Sequence, residues 1–303
     1  MTRRGWALAL VALLSLLAPV TARAQRAVTV RADNDAFNFW QAPWNRPDEE
    51  YTSGVRLAVD FDGPLPLLRR PVPAGDCDAA RIACDEHSYA FGQDIYTAAR
   101  QRGETLQQAG ARPDAGLLWA TMAERAVRGN RITVTSVTLG ITGRPALAAP
   151  MQRFFHGIAP GWNKPIDWSL QLPTEPVFGV SYDQRRPATF GAAVLEPHAG
   201  ASLGTLLTEL RGGMGASFAV RPYLFLLGDA TARGVARSEV LSGTFFRTSE
   251  RVPLRPLVTE LQFGARGTWR RLSLAWIAHQ TSAEYTARTK GHTWSTLEAE
   301  WRR

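Results

Sequence analysis

Three short stretches of this sequence carry side chains able to do chemistry. In Arg31-Ala-Asp-Asn-Asp-Ala-Phe37, Asp33, Asn34 and Asp35 stand in a row, an oxygen-rich set of the kind a hard cation such as calcium takes. In Gln152-Arg-Phe-Phe-His156 an amide and an imidazole lie four residues apart. On a helix they share a face, and an imidazole titrating near neutrality can take a proton from water. Cys77 and Cys84 flank a polar segment, a spacing that closes a small disulfide loop in an oxidising compartment. Plainer readings stay open: the acidic run as an ordinary lumen-facing or periplasmic turn, and His156, beside two phenylalanines, as packed core. His87, His198, His279 and His292 have no neighbours that single them out. Two hydrolase templates are absent, the Gly-x-Ser-x-Gly elbow and the zinc-protease His-Glu-x-x-His.

The elements that must position these residues read as strands. The chain opens with Met1-Thr-Arg-Arg4, an apolar run from Trp6 to Val20, and Ala22-Arg-Ala24. This is the pattern of a signal peptide over 1–24, with Gln25 beginning the mature chain. The apolar run is about 15 residues, short of the roughly 20 that cross a bilayer. Beyond it, period-two alternation recurs in Gly54–Asp60, with Val55, Leu57 and Val59 outward, and in Arg131–Gly140. Trp168–Leu172, Val177–Asp183, Ala192–Pro197, Leu257–Phe263 and Leu272–His279 are further strand candidates, separated by Gly, Pro, Asn and Asp. A weaker one ends the chain at His292–Trp301.

Helical pattern is confined to Pro150–Ile158 and, as a second possibility, Leu117–Ala126. No repeat or linker divides residues 25–303, which reads as one domain. Without an apolar helix, the choice lies between a soluble exported protein and a closed barrel. Ten tryptophans decide it, many of them at apparent strand ends: Trp40, Trp44, Trp119, Trp162, Trp269, Trp294 and Trp301. Barrels gather such residues into girdles at the two lipid interfaces. The formal charge is +8, and only Lys164 and Lys290 among the basic residues are lysines. Guanidinium forks suit phosphates, and for an exported chain phosphorylated lipid is a more natural partner than nucleic acid.

Taken in order, these stretches resemble the lipid A 3′-O-deacylase (LpxR) family. Asp33-Asn34-Asp35 matches its acidic-Asn-Asp strand, and Tyr51-Thr52-Ser53-Gly54 its Tyr-Thr-x-Gly. Gly92-Gln-Asp-Ile-Tyr-Thr97, Gln152 to His156, Gly161-Trp162, Gln171 to Pro176 and Pro197 to Gly204 follow in sequence. The resemblance implies an all-β, transmembrane antiparallel barrel of about twelve strands, with a short helix in an extracellular loop of the bacterial outer membrane. It implies calcium-dependent removal of an ester-linked acyl chain from lipid A. His156 would activate water, Asn34, Asp35 and Thr52 would line the site, Asp35 would bind calcium, and Gln152 would stand close to His156.

The sequence departs from the family pattern in three places. Asp33 replaces the commoner Glu, Asp114 replaces an aromatic in Arg112-Pro-Asp-Ala-Gly116, and Arg302-Arg303 follow the terminal aromatic. The rival readings are a non-enzymatic pore or scaffold and an outer-membrane phospholipase. Nothing in the sequence calls for more than a monomer.

Overall fold

The computed structural model describes residues 25–41, 50–65, 83–100, 108–158 and 166–303. The expected signal segment, Gly161-Trp162 and Cys77 lie outside the described residues. The strands are β1 (Gln25–Asn34), β2 (Glu50–Asp62), β3 (Ala83–Thr97), β4 (Ala115–Arg128), β5 (Arg131–Thr142), β6 (Pro176–Arg185) and β7 (Ala188–Phe190). They continue with β8 (Ala193–Gly204), β9 (Leu207–Arg221), β10 (Leu224–Ser238), β11 (Leu257–Trp269), β12 (Leu272–Thr281) and β13 (His292–Arg302). Among the described residues two α-helices lie in connections, α1 (Ala148–Ile158) and α2 (Glu239–Ser242).

Apart from β6 and β7, each strand pairs antiparallel with its neighbours in sequence, and the sheet closes where β1 meets β13 and β6 meets β8. Twelve strands form the ring, and the three-residue β7 adds a short pairing against β8. Closure matters because lipid offers no hydrogen bonds to an open strand edge. Among the described residues no helix is long and apolar enough to cross a membrane; the strands cross instead.

Alternation assigns the two faces. Val55, Leu57, Val137, Leu139, Phe178 and Val180 are exposed on the outside, where lipid covers them. Between them Ser136 turns inward, its Oγ 2.7 Å from Ser181 Oγ, and Thr138 Oγ1 lies 2.8 Å from Thr121 Oγ1. Ion pairs and a histidine–carboxylate contact cross-link the interior. Arg211 Nε donates to Asp183 at 2.8 Å, Arg233 Nε to Glu209 at 2.8 Å, and His198 Nε2 lies 2.9 Å from Asp229.

The two ends differ. Ala27 pairs with Arg302, so both strand termini share one end with the tight turns at 129–130, 222–223 and 270–271. Five long connections, 35–49, 98–114, 143–175, 239–256 and 282–291, gather at the other end, against one, 63–82, at the turn end. Outer-membrane barrels keep short turns in the periplasm and long loops outside, so the loop end is extracellular. Cys84 is buried at the turn end and disulfide-bonded, as the sequence leads one to expect; the chain's other cysteine is Cys77.

Three sequence expectations are corrected. Leu117–Ala126 is not helical but belongs to β4, because pairing on both edges outweighs the helix propensity of its alanines. Trp168–Leu172 is no strand. It holds a 3₁₀ turn, Trp168–Leu170, capped by Asp167, which accepts from Ser169 N at 2.9 Å. Of the supposed girdle residues, Trp40, Trp269 and Trp301 are exposed as expected. Trp119 and Trp294 instead face inward, onto Asp94 and between two histidines.

Two carboxylates tie the 239–256 loop to the segment before β6. Glu175 accepts from the Phe245 and Phe246 amides, the latter at 2.9 Å, while fully buried Glu239 accepts from Arg237 Nη2 at 2.9 Å. Burial pushes the Glu239 carboxyl up to about 7, Arg237 opposes this, and the charge of Glu175 adds to it. A raised carboxyl pKa means the folded loop holds its proton more tightly than the unfolded one. The stability it contributes is therefore complete below about pH 4.5 and is lost as pH rises through about 7. Limited proteolysis of this loop should accelerate across that window, and Glu239→Gln should remove most of the pH dependence.

Candidate functional site at the extracellular rim

At the loop end, β1 hands its last residues to three different tasks. Asp33 faces inward and accepts from Arg31 Nε (2.8 Å), Tyr51 Oη (2.8 Å) and Thr296 Oγ1 (2.6 Å). Its lone pairs are committed to the wall. Asn34 then caps a 3₁₀ turn, Asp35–Phe37, by accepting from Ala36 N at 2.7 Å. That bond uses the side-chain oxygen and leaves the NH₂ group to donate. Asp35 is buried in the turn. Asn38 pins the exit: its Nδ2 donates to Thr293 O at 3.0 Å, and it accepts from Ser295 Oγ at 2.8 Å. Asp35 is thus held between a cap and an anchor.

Thr52 reaches the same rim through a β-bulge. Tyr51 pairs with Tyr96 and Ser53 with Ile95, so Thr52 is the extra residue. A bulge bends its strand and re-aims a side chain. Thr52 is buried with its Oγ1 2.6 Å from Thr97 Oγ1. Asn34 is opposite Ser53, the residue after Thr52, and its turn packs on β13 and β2, so Asn34, Asp35 and Thr52 share this rim.

The Tyr-Thr-x-Gly spacing has a steric cause. A Cβ at Gly54 would lie 2.0 Å from Tyr51 Oη, so the phenol occupies the space a side chain would need. From there Tyr51 reaches both Asp33 and, at 3.2 Å, Asp94, whose other oxygen accepts from Trp119 Nε1 at 2.8 Å. Gly54→Ala should displace the ring and cost about 1–3 kcal/mol through overpacking. A urea midpoint in detergent would measure it, and an unchanged midpoint would rule out the steric account.

Helix α1 covers the neighbouring wall. Ala148 packs with Ile95 and Trp168, and a Cβ at Gly116 would come within 2.6 Å of Ala148 Cβ; only glycine lets the helix so close to β4. Gln152 is buried and accepts from Trp168 Nε1 at 2.9 Å. An indole N–H only donates, which fixes the amide orientation. Gln152 Nε2 is left buried with no hydrogen-bond partner among the described residues. His156 follows one turn later on α1; its side chain lies outside the described residues. The structure thus places Gln152 on a helix packed against β3 and β4, next to the wall that carries Thr52.

Sequence reasoning missed a buried charge cluster at the same end. Glu50 accepts from Arg112 Nη1 (3.2 Å), Tyr285 Oη (2.8 Å) and Arg288 Nη1 (2.8 Å). Arg112 stacks on Tyr96, 4.6 Å from the ring centre. Burial and the Glu50 carboxylate push the Tyr285 phenol up to about 12, which keeps it a donor. No spacing signal links positions 50, 112, 285 and 288. The neighbouring departure from the family pattern, Asp114, is equally well seated: it accepts from Ala98 N at 2.8 Å and pairs with Arg100. Among the described residues, no group of three or more His, Cys, Asp or Glu gathers as a metal cluster.

A closed twelve-stranded ring with an apolar exterior, a cross-linked polar interior and a buried polar site at its loop end is an outer-membrane β-barrel. The profile of the family described as Outer membrane protein LpxR matches residues 7–303. The chain belongs to that family. Among solved structures it is similar to LpxR from Salmonella typhimurium, with 15% identity, a TM-score of 0.72, and coverage of 91% of this chain and 99% of that one. A COG4313 outer membrane channel from Pseudomonas putida F1 follows at 12% identity and a TM-score of 0.48, covering 94% and 96%. No curated protein sequence matches.

Proposed function

We propose that this protein hydrolyses the ester-linked acyl chain at the 3′ position of lipid A in the outer leaflet, with calcium bound and His156 activating water. Family membership and the extracellular position of the site support this reading. The observation that carries it is Gln152, a buried amide whose oxygen is held by Trp168 and whose NH₂ is unspent, one helical turn before His156.

In this mechanism His156 takes a proton from water while the water oxygen attacks the ester carbonyl carbon. The proton then passes to the departing sugar oxygen, releasing a free fatty acid and a sugar hydroxyl. The amide donors of Asn34 and Gln152 are suited to the negative charge that develops on the carbonyl oxygen. Thr52, tethered to Thr97, shapes the wall. Asp35 offers a buried carboxylate, an oxygen donor of the kind a hard cation takes. Asp35 would hold the ion, which when bound supplies a Lewis acid for the carbonyl. Beside α1, Arg144 and Arg153 line a cavity of about 440 Å³, suited to the glucosamine phosphates.

A pore or scaffold would need neither the fixed amide nor the capped turn. Mass spectrometry of lipid A from cells expressing the protein, with and without a chelator, tests the proposal. Loss of one acyl-chain mass that the chelator abolishes is the expected result. Unchanged lipid A with released phospholipid fatty acids would replace the substrate, and no change in either lipid would overturn the enzyme reading.

A further inference from the structure

The turn end of the lumen, opposite the candidate site, holds a cavity of about 340 Å³ lined by Arg266, Arg270, Arg271 and Arg302 with the hydroxyls of Ser217 and Thr268. Two of these guanidiniums are answered. Arg266 Nη2 lies 3.4 Å from Glu298, and Arg302 pairs with Glu300. Among the described residues no carboxylate pairs with Arg270 or Arg271, so the mouth carries surplus positive charge.

Arg270 also stands in a costly backbone conformation. Its φ is 54°, in the left-handed region that strains any residue with a Cβ and leaves glycine unstrained. Two other turns at this end place Gly129 and Gly191 there, each at φ 60°. The Arg270 guanidinium rests 5.2 Å from the centre of the Trp269 ring, a ring 69% exposed on the lipid side. One strained residue therefore joins the lipid interface to the basic cavity.

We propose that Arg270 and Arg271 form a phosphate-binding site at the periplasmic mouth, separate from the extracellular site. Each guanidinium offers a planar fork of donors, and Thr268 and Ser273 add a hydroxyl pair 3.0 Å apart. Together they present more donors than the two oxygens of a carboxylate accept, whereas a phosphate group has oxygens for both forks. The phosphate belongs either to an inner-leaflet phospholipid headgroup or to a soluble phosphate ester.

The full barrel in octyl glucoside, titrated calorimetrically with inorganic phosphate, tests the soluble source. The barrel in nanodiscs of phosphatidylglycerol, against phosphate-free digalactosyl diacylglycerol, tests the headgroup through broadening of the ³¹P resonance. The double variant Arg270→Gly, Arg271→Gln should weaken binding about tenfold or more, as expected for losing charge-assisted bonds. Arg271→Gln alone should give a smaller loss in the same direction. Phosphate binding in detergent that the double variant loses supports the site with a soluble ligand. Broadening confined to phosphatidylglycerol discs, and lost in the variant, supports it with a lipid one. Binding in neither setting, or binding the double variant retains, overturns the proposal. The double variant should denature at the same or a higher temperature, since glycine relieves the turn; earlier denaturation would count against the strain on which the site rests.

Discussion

His156→Ala is expected to slow lipid A deacylation by roughly 10²–10⁴-fold, the usual contribution of a positioned general base. The barrel should assemble unchanged, because α1 docks through Ala148, Ala149 and Met151 against Ile95 and Trp168. The measurement is the initial rate of fatty-acid release from lipid A micelles by refolded wild-type and variant barrels at equal calcium. Gln152→Leu belongs beside it. It removes the unspent amide and leaves the Trp168 indole without its acceptor, so it should lower the rate by a smaller factor. Wild-type turnover in a well-folded His156→Ala barrel would remove histidine from the mechanism. Asp35→Asn would then show whether the acidic turn is needed at all: calcium dependence that survives it places the ion elsewhere.

Glu50→Leu is expected to produce the largest loss of stability, about 3–5 kcal/mol at the extracellular mouth, because it breaks a buried ion pair from one side. The Arg112 side chain is 1% exposed, and its Nε and Nη2 have no partner among the described residues. Glu50 is its close carboxylate, with Glu284 farther away at 3.7 Å. Glu50 also gathers Tyr285 and Arg288 from the loop before β13. Its loss should free that loop first while strand pairing survives. Protease cutting within 282–291, followed against urea, would show an early loop transition absent from the wild type. Glu50→Gln keeps an acceptor for Tyr285 and should lie between the two. An unaltered cutting pattern in Glu50→Leu would show that the cluster contributes nothing to holding the loop.

Much of the architecture was open to a reader of the sequence because strand patterning is local. Val55 and Leu57, or Val137 and Leu139, alternate with polar neighbours at the period of an extended chain, which assigns lipid and lumen faces before any partner strand is known. The helix at Pro150–Ile158 and the disulfide at Cys84 were legible for the same reason. The candidate residues Asn34, Asp35, Thr52, Gln152 and His156 were found through an ordered set of short motifs rather than through spacing alone.

Tertiary structure decided which of these chemically similar residues does what. Asp33 and Asp35 are nearly identical in sequence context, yet one is spent on Arg31, Tyr51 and Thr296 and the other sits in a capped turn. Trp119 and Trp301 both read as girdle residues, but strand register sends one to Asp94 and the other to lipid. Alanines that favour a helix became β4 once β3 and β5 paired with both of its edges. Glu50 met Arg288 only because β1 closed the sheet against β13, and Arg270 met Arg302 only through the register of β12 on β13. Periodicity is a property of neighbouring residues, which a sequence records directly. The identity of a hydrogen-bond partner hundreds of residues away depends on register and closure, and those are fixed only when the whole ring forms.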